Sequence, residues 1–193
     1  MAALETLLCG GVTLAEDFMM HVHENTSRAA QFLKDTVELL PKGRVLDVAM
    51  GNGQNAVFLA KLGFAVEGVD ISSDAVKTAL EAARKAGVAM KADAADLESD
   101  YRIKPGAYDV IICFRYLQRS LIPQIKDGLR KGGMVVYETF TIEQARFGRP
   151  KNPDYLLKHN ELLDMFRDFR CLHYWEGILE NRTAVAQILA EKV

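Results

Sequence analysis

The sequence predicts an α/β fold with a mostly parallel sheet and helices on both faces. Apolar runs of strand length alternate along the chain with segments whose apolar residues recur at helical spacing. The first run, residues 45–48, is followed closely by Gly51 and Gly53, and a helical pattern begins directly after them, as in nucleotide-binding sheets. A short turn separates the last two strand-like runs, so we expect an antiparallel pair at the end of the chain.

Length and composition favour one ordinary globular domain. The chain has 193 residues, 49% of them hydrophobic and 26% charged, with a formal net charge of −2. Such a balance provides no global basic field for nucleic acid or an anionic membrane. No stretch approaches the roughly 20 apolar residues of a membrane helix, and the start lacks a basic leader. We therefore expect neither nucleic acid nor a membrane as partner, while the oligomeric state stays open.

The cysteines argue against a stapled or metal-stabilised fold. Cys9, Cys113 and Cys171 lie far apart and are odd in number, with no C-x-x-C or Cys/His spacing. A disulfide framework or metal site is therefore not expected. This cysteine usage fits the reducing cytosol and predicts a cytoplasmic protein.

Residues 1–40 are predicted to form a helical lid or extension before the main domain, residues 41–193. Asn-Thr-Ser at residues 25–27 offers N-caps for a helix with apolar positions from Ala30 to Leu40, and Pro41 ends it. Such a helix would pack beside the sheet or cover a ligand.

The middle of the chain alternates strands and helices. Strands are predicted at residues 44–49, 65–70, 88–92, 108–114 and 134–139. Between them we expect a helix over 56–62 ended by Gly63, one capped by Ser72 or Ser73 with Gly87 past its end, and one over 121–129. The continuous apolar run at 108–114 is typical of a central strand buried on both faces.

The pattern changes at the end of the chain. Residues 140–159 are polar, basic and proline-bearing, and such long connections are usually functional or disordered. Asn160 should cap a short helix through Phe166. Strands are then expected at 171–175 and 183–190.

Two acidic positions decide between cofactors. The spacing Gly51-x-Gly53-x-x-Ala56 followed by Asp70 also satisfies the loose dinucleotide fingerprint. However, Asp47 lies inside the first strand, where that fold normally has an apolar residue. A buried carboxylate needs a partner, which a cationic ligand, its amino group, or the N–H groups of the loop would provide.

A second acidic step, Asp96-Leu97, follows the third strand and suits an adenine amino group and ring. Together with the terminal antiparallel pair, it favours a different ligand from a dinucleotide.

These motifs resemble the class I S-adenosylmethionine-dependent methyltransferases. Residues 46–53, Leu-Asp-Val-Ala-Met-Gly-Asn-Gly, look like the first motif of that family, and residues 108–112 and 129–134 look like its fourth and fifth strands. The loop is most similar to the tellurite-resistance (TehB-like) branch, from which Ala49-Met50 and Gln54 depart. The resemblance implies a Rossmann-like methyltransferase fold of seven strands and S-adenosylmethionine as cofactor. It also implies a small-molecule acceptor: a thiol, a metalloid oxyanion, a hydroxyl or an amine.

The resemblance implies a set of cofactor-binding residues at the ends of the strands. The glycines would pass under the methionine part, Asp70 would accept both ribose hydroxyls, Ile71 would pack on adenine, and Asp96, in competition with Asp93, would bind the adenine amino group. The full expected set is Asp47, Ala49, Gly51, Asn52, Gly53, Asn55, Asp70, Ile71, Asp96, Leu97, Cys113, Phe114 and Arg115.

The acceptor side is less defined by sequence. Expected substrate-binding residues are Arg115, Tyr116, Arg119 and Arg146, the arginines for an anionic group. The catalytic residues are unassigned, with Tyr116 and Glu138 as candidate bases for a hydroxyl or amine acceptor. The Tyr137 and Thr139 hydroxyls could also face the acceptor. Cys113 is expected to be a structural thiol, since transfer from a sulfonium needs no enzyme nucleophile.

Two other functions compete with methyl transfer. One is an NAD-dependent oxidoreductase on a Rossmann sheet, and the other is a cofactor-binding module without catalysis.

Overall fold

The computed structural model describes residues 29–99 and 101–193. Within them lies one seven-stranded sheet with the order β3-β2-β1-β4-β5-β7-β6. Its strands are β1 (Arg44–Val48), β2 (Ala65–Asp70), β3 (Lys91–Ala94), β4 (Tyr108–Phe114), β5 (Leu129–Phe140), β6 (Arg170–Ile178) and β7 (Ala184–Glu191). Strands β1 to β5 are parallel, while β7 runs antiparallel between β5 and β6. The predicted α/β fold and antiparallel end are confirmed.

Helices cover both faces of this sheet. They are α1 (Gln31–Thr36), α2 (Gln54–Lys61), α3 (Ser73–Lys85), α4 (Ile122–Gly128) and α5 (Glu161–Met165). Side chains of α1 and α2 pack with Val110 and Ile112 of β4, whereas those of α4 and α5 pack with Ile111 and Cys113. Strand β4 is thus buried on both faces, as its continuous apolar run predicts.

Strand and helix ends differ from the prediction where backbone geometry intervenes. The third strand is Lys91–Ala94 rather than 88–92, because the Val88 N–H donates to Ala83 O in the turn that closes α3. Ser72 is the N-cap of α3, and its hydroxyl accepts from the Ala75 N–H. Asn160 precedes α5 in the left-handed region and makes no side-chain cap bond.

The start of α1 can be described only in part. The helix begins at Gln31, a short 3₁₀ turn follows at Val37–Leu39, and Ala30 occupies the N-cap position without a side-chain bond. The expected caps at residues 25–27, like the rest of residues 1–28, lie outside the described residues.

The long connection after β5 is an ordered segment. It contains 3₁₀ turns at Ile142–Arg146 and Pro153–Tyr155. The buried Gln144 fixes it, since its amide oxygen accepts from the Ala184 N–H at 2.8 Å and its nitrogen donates to Arg149 O at 3.2 Å. An isolated bridge between Thr141 and Leu157 closes the loop. Among the residues described, no helix is long and apolar enough to cross a membrane.

Candidate cofactor site

A cavity of about 270 Å³ opens beyond the carboxyl ends of β1 and β4. One wall is the loop between β1 and α2, and the other is the segment that ends β4. The lining residues are Ala30, Ala49, Met50, Gly51, Asn52, Gln54, Asn55, Phe114 and Arg115. Ligands of open α/β sheets bind in such a crevice. The sequence prediction missed Ala30, Met50 and Gln54, of which only Met50 and Gln54 stand inside the motif.

The two glycines of the loop have different tasks. Gly51 has a φ of +54°, and a Cβ built on it would meet no atom within 4 Å, so its backbone faces open space at the cavity. Gly53 has a φ of +72°, but its Cβ would lie 2.5 Å from Ala79 Cβ of α3. Gly51 therefore keeps room for a ligand, whereas Gly53 allows α3 to pack closely against the loop.

Each wall of the cavity contains one non-glycine residue with a left-handed backbone conformation. Ala49 has a φ of 55° and Arg115 a φ of 58°, a conformation that costs L residues roughly 1–2 kcal/mol. Such conformations persist where the surroundings fix them and concentrate at ligand sites. Behind Ala49, the Met50 side chain fills the space over Gly68, where a Cβ would lie 2.1 Å from the sulfur.

Asp70 joins the end of β2 to the glycine loop. Its Oδ2 accepts from the Gly51 N–H at 2.8 Å, and its Oδ1 accepts from the Ser72 N–H at 2.9 Å. Each carboxylate oxygen keeps a further lone pair for a ligand hydroxyl. The neighbouring Ile71 is 71% exposed, which leaves its apolar surface available to a planar group.

Asp47 is a buried acid with an incomplete set of partners. The residue is 1% exposed, and its Oδ2 has no hydrogen-bond partner. Burial raises the pKa of Asp47 to about 8, partly opposed by a hydrogen bond from the Ala56 backbone. The partner observed for one side of the carboxyl is thus the backbone of the first turn of α2, directly after the loop.

The acidic step after β3 lies near the other end of the site. Asp96 Oδ1 accepts from the Glu98 N–H at 2.8 Å, whereas Leu97 is buried in the core. The expectation that the Leu97 side chain faces a ring is therefore corrected. Asp93 is an exposed residue of β3.

The Tyr116 hydroxyl lies within the electrostatic influence of several acidic side chains. Burial raises the pKa of Tyr116 to about 12, and the charges of Glu98, Asp96 and Asp70 add to this effect. A phenol with that pKa is protonated at neutral pH and donates a hydrogen bond. The role of Tyr116 as a general base stays a prediction.

Asn52, Asn55 and the residues that end β4 have distinct surroundings. Asn52 is exposed at the cavity, while Asn55 Oδ1 accepts from the Ala30 N–H at 2.9 Å. Asn55 thus fixes the segment before α1. The Cys113 thiol is fully buried, and burial raises its pKa to about 12, as expected for a structural thiol. Phe114 lines the cavity.

Two of the arginines expected for the acceptor are engaged elsewhere. Arg119 forms a two-point ion pair with Glu161, with nitrogen–oxygen distances of 2.6 and 2.9 Å, and also donates to the carbonyls of Asp154 and Leu156. Arg146 pairs with Glu143 at 2.5 Å. Neither lines the cavity, whereas Arg115 does, and the acceptor role of Arg119 and Arg146 stays a prediction.

Glu138 lies beside the cavity wall in a row of side chains across the sheet. In the strand register Phe114 is paired with Glu138, and Glu138 with Gln187. The Gln187 amide donates to Glu138 Oε2 at 2.7 Å, and burial raises the pKa of the Glu138 carboxyl. No sequence motif points to Gln187, because its hydrogen-bond partner, Glu138, lies on another strand. The Tyr137 hydroxyl donates to Tyr116 O instead of facing an acceptor, and the Thr139 hydroxyl is buried without a partner.

Comparison with known proteins shows which proteins this chain resembles. Residues 45–133 match the methyltransferase domain family. Hemagglutinin 1 of Eikenella corrodens is 27% identical over 153 residues, which are 76% of this chain and 50% of that protein. The ubiquinone biosynthesis O-methyltransferase of Burkholderia thailandensis is 30% identical over 105 residues, which are 52% of this chain and 45% of that protein. The chain thus spans about half the length of these curated relatives.

The fold also matches solved structures. The crystal structure of TehB from Haemophilus influenzae superposes with a TM-score of 0.73 at 21% sequence identity, covering 88% of this chain and 64% of TehB. The features found here fit the cofactor of this fold: open space over Gly51, free lone pairs on Asp70, and an unpartnered oxygen on Asp47. Its cofactor is S-adenosylmethionine. Residues 45–133 thus match a methyltransferase domain, and the chain has the fold of solved S-adenosylmethionine-dependent methyltransferases.

Proposed function

We propose that this chain transfers the methyl group of S-adenosylmethionine to a small-molecule acceptor. The observation that carries the proposal is the cavity between the glycine loop and the end of β4, with Asp70 hydrogen-bonded to Gly51 at its side. The lid predicted over residues 1–40 is proposed to cover this cavity in residues 41–193; its residues 1–28 lie outside the described residues. Ala30 supports this role, because it lines the cavity and its N–H is held by Asn55.

The residues proposed to hold the cofactor follow its chemical parts. The Asp70 carboxylate binds the ribose hydroxyls, Ile71 packs on the adenine, and Asp96 accepts from the adenine amino group. The backbone at Gly51 and the wall of Phe114 and Arg115 enclose the methionine part. When bound, the cofactor supplies a methyl group on a sulfonium centre, which leaves as a neutral thioether. The protein's contribution is alignment of the acceptor and exclusion of water.

The row of Phe114, Glu138 and Gln187 is the proposed acceptor side. A relative named as an O-methyltransferase favours a hydroxyl acceptor, whose proton must leave as the new oxygen–carbon bond forms. Glu138 is the candidate base, since its carboxyl is buried beside the wall and Gln187 orients it. Because burial raises its pKa, transfer that depends on Glu138 should begin to rise at a higher pH than for an ordinary glutamate. A thiolate or metalloid oxyanion already carries its electron pair and needs no base.

Location and partners are proposed on chemical grounds. The free thiols of Cys113 and Cys171 support a reducing, cytoplasmic setting. The net charge supports a small molecule as partner, with neither nucleic acid nor a membrane.

Binding and turnover measurements test the proposal. Native mass spectrometry should detect a co-purified adenosyl ligand, and calorimetry should detect S-adenosylhomocysteine binding but no NAD binding. A panel of catechol, thiol, amine and tellurite acceptors with labelled methyl donor should then yield a methylated product. Binding of NAD alone would favour the oxidoreductase. Cofactor binding without turnover on any acceptor would favour a cofactor-binding module.

A further inference from the structure

The carbonyl oxygen of Tyr116 is held by two donors that reach it from the core. The Tyr137 hydroxyl donates to it at 2.9 Å, and the Cys113 thiol approaches it at 3.8 Å. Both donors are buried: Tyr137 is 1% exposed and Cys113 is 0% exposed. The segment directly after β4 is therefore fixed from beneath.

The Tyr137 side chain is itself packed within the core. Its ring lies 6.3 Å from that of Phe166, measured between centroids, within the core on the α4 and α5 face. Burial raises the pKa of Tyr137 well above its ordinary value, so the hydroxyl keeps its proton. It serves as a permanent donor, and it lies beneath the site instead of within it.

The same segment is attached to β5 by a second bond. The Arg115 N–H donates to Glu138 O at 2.8 Å, one residue before the carbonyl that Tyr137 holds. Arg115 lines the cavity with a φ of 58°. A left-handed arginine needs such fixed neighbours, because the conformation is unfavourable by itself.

We infer that Tyr137 is a positioning residue for the cavity wall, acting through its hydrogen bond to the Tyr116 carbonyl. It holds Arg115 and Tyr116 in the arrangement that closes the cavity opposite the glycine loop. The inference rests on the proposed function for the identity of the ligand, S-adenosylmethionine, but not for the placement of the wall.

The test is Tyr137→Phe compared with Tyr108→Phe. Tyr108 is also 1% exposed, and its hydroxyl donates a hydrogen bond to Glu67 at 3.0 Å, away from the cavity. Both changes remove one oxygen and preserve the ring, so they control for the general cost of a lost buried hydroxyl. Hydrogen exchange at the Arg115 amide measures how firmly the cavity wall is held without any ligand. Calorimetry with S-adenosylhomocysteine measures the affinity of the site.

In Tyr137→Phe we expect faster exchange at Arg115 and S-adenosylhomocysteine binding weakened by roughly two- to tenfold, the range for one neutral hydrogen bond. Tyr108→Phe should match the wild type in both. Cys113→Ala, which removes the second donor, should change both in the same direction by less, and it replaces Tyr137→Phe if that variant does not fold.

Unchanged exchange at Arg115 in Tyr137→Phe would overturn the inference. So would faster exchange with unchanged affinity, since the wall would then not matter to the ligand. Equal effects in the two tyrosine variants would show a general loss of stability and also overturn it. If the wild type binds no S-adenosylhomocysteine, the proposed function fails, and the exchange comparison alone decides whether Tyr137 fixes the wall.

Discussion

The backbone N–H of Gly51 donates a hydrogen bond of 2.8 Å to the Asp70 carboxylate. Gly51 belongs to the loop after β1, and Asp70 is the last residue of β2. The bond thus ties together the two parts of the sheet that the cofactor is proposed to span, one at its methionine end and one at its ribose. It also fixes the carboxylate before a ligand arrives, which reduces the entropy lost on binding.

Replacing Asp70 by Asn should weaken cofactor binding. The amide keeps the size of the side chain but loses its charge, so binding of S-adenosylhomocysteine should weaken by about 1.5–3 kcal/mol, the scale of a hydrogen bond to a charged group. Calorimetry measures the change. The control is Asp74→Asn, whose side chain is 92% exposed on α3 and which should bind like the wild type. Equal affinities of Asp70→Asn and wild type would remove Asp70 from the site.

Alanine at the two loop glycines should separate binding from folding. In Gly53→Ala the new methyl group meets Ala79 at 2.5 Å, so the free energy of unfolding should fall by about 2–4 kcal/mol from overpacking and left-handed strain. Gly51→Ala meets no atom and should cost only about 1–2 kcal/mol. Its methyl group enters the cavity, however, so S-adenosylhomocysteine binding should be lost.

Urea unfolding and calorimetry on both glycine variants check this contrast. A Gly51→Ala protein with wild-type affinity would contradict the assignment of that position to the cavity.

Asp47 should make the protein less stable as pH rises. The folded state keeps the Asp47 proton up to a pKa of about 8, while the ordinary pKa of an aspartate side chain is 3.8. Between these values the folded state binds more protons than the unfolded state, so the stabilising contribution is full below about pH 4 and is lost by about pH 8. The slope for one proton is at most about 1.4 kcal/mol per pH unit.

Asp47→Asn should flatten this dependence. Urea unfolding between pH 5 and pH 8, followed through the single tryptophan, Trp175, measures the slope. Asp74→Asn is again the control and should keep the wild-type slope. An Asp47→Asn protein with an unchanged slope would assign the pH dependence to other groups.

Arg119 should contribute to stability and leave ligand binding unchanged. Its guanidinium joins Glu161 and two carbonyls of the 154–156 segment. Because the arginine is 39% exposed, the pair itself is worth about 0.5–1 kcal/mol, and Arg119→Met should lower the free energy of unfolding by about 1–2 kcal/mol in all.

A double-mutant cycle with Glu161→Gln measures the coupling. Arg146→Met is the comparison, since it removes an exposed pair with Glu143 and an exposed contact with the Phe147 ring and should change stability by less than about 0.5 kcal/mol. Lost methyl transfer at wild-type stability in Arg119→Met would support the acceptor role first expected for it.

The local sequence pattern was enough to predict the strands and helix caps that depend only on neighbouring residues. The strands Ala65–Asp70 and Tyr108–Phe114 were predicted at their observed bounds, and Ser72 was among the predicted caps. Apolar periodicity and turn residues record the local backbone and which side of it is buried. The loop motif with Gly51 and the acid Asp70 was also readable, because a fixed spacing encodes it.

The tertiary structure decided which contacts residues far apart in the chain make at and near the site. Gly53 differs from Gly51 only because Ala79 of another helix lies against it. Arg119 pairs with Glu161, 42 residues away, and the Tyr137 hydroxyl reaches Tyr116 because β5 packs beside β4. The sequence by itself determined the fold class and the cofactor, and it pointed to the loop proposed to bind that cofactor. The tertiary structure decided which polar groups remain available at that loop, because hydrogen bonds between distant segments leave no periodic trace in the chain.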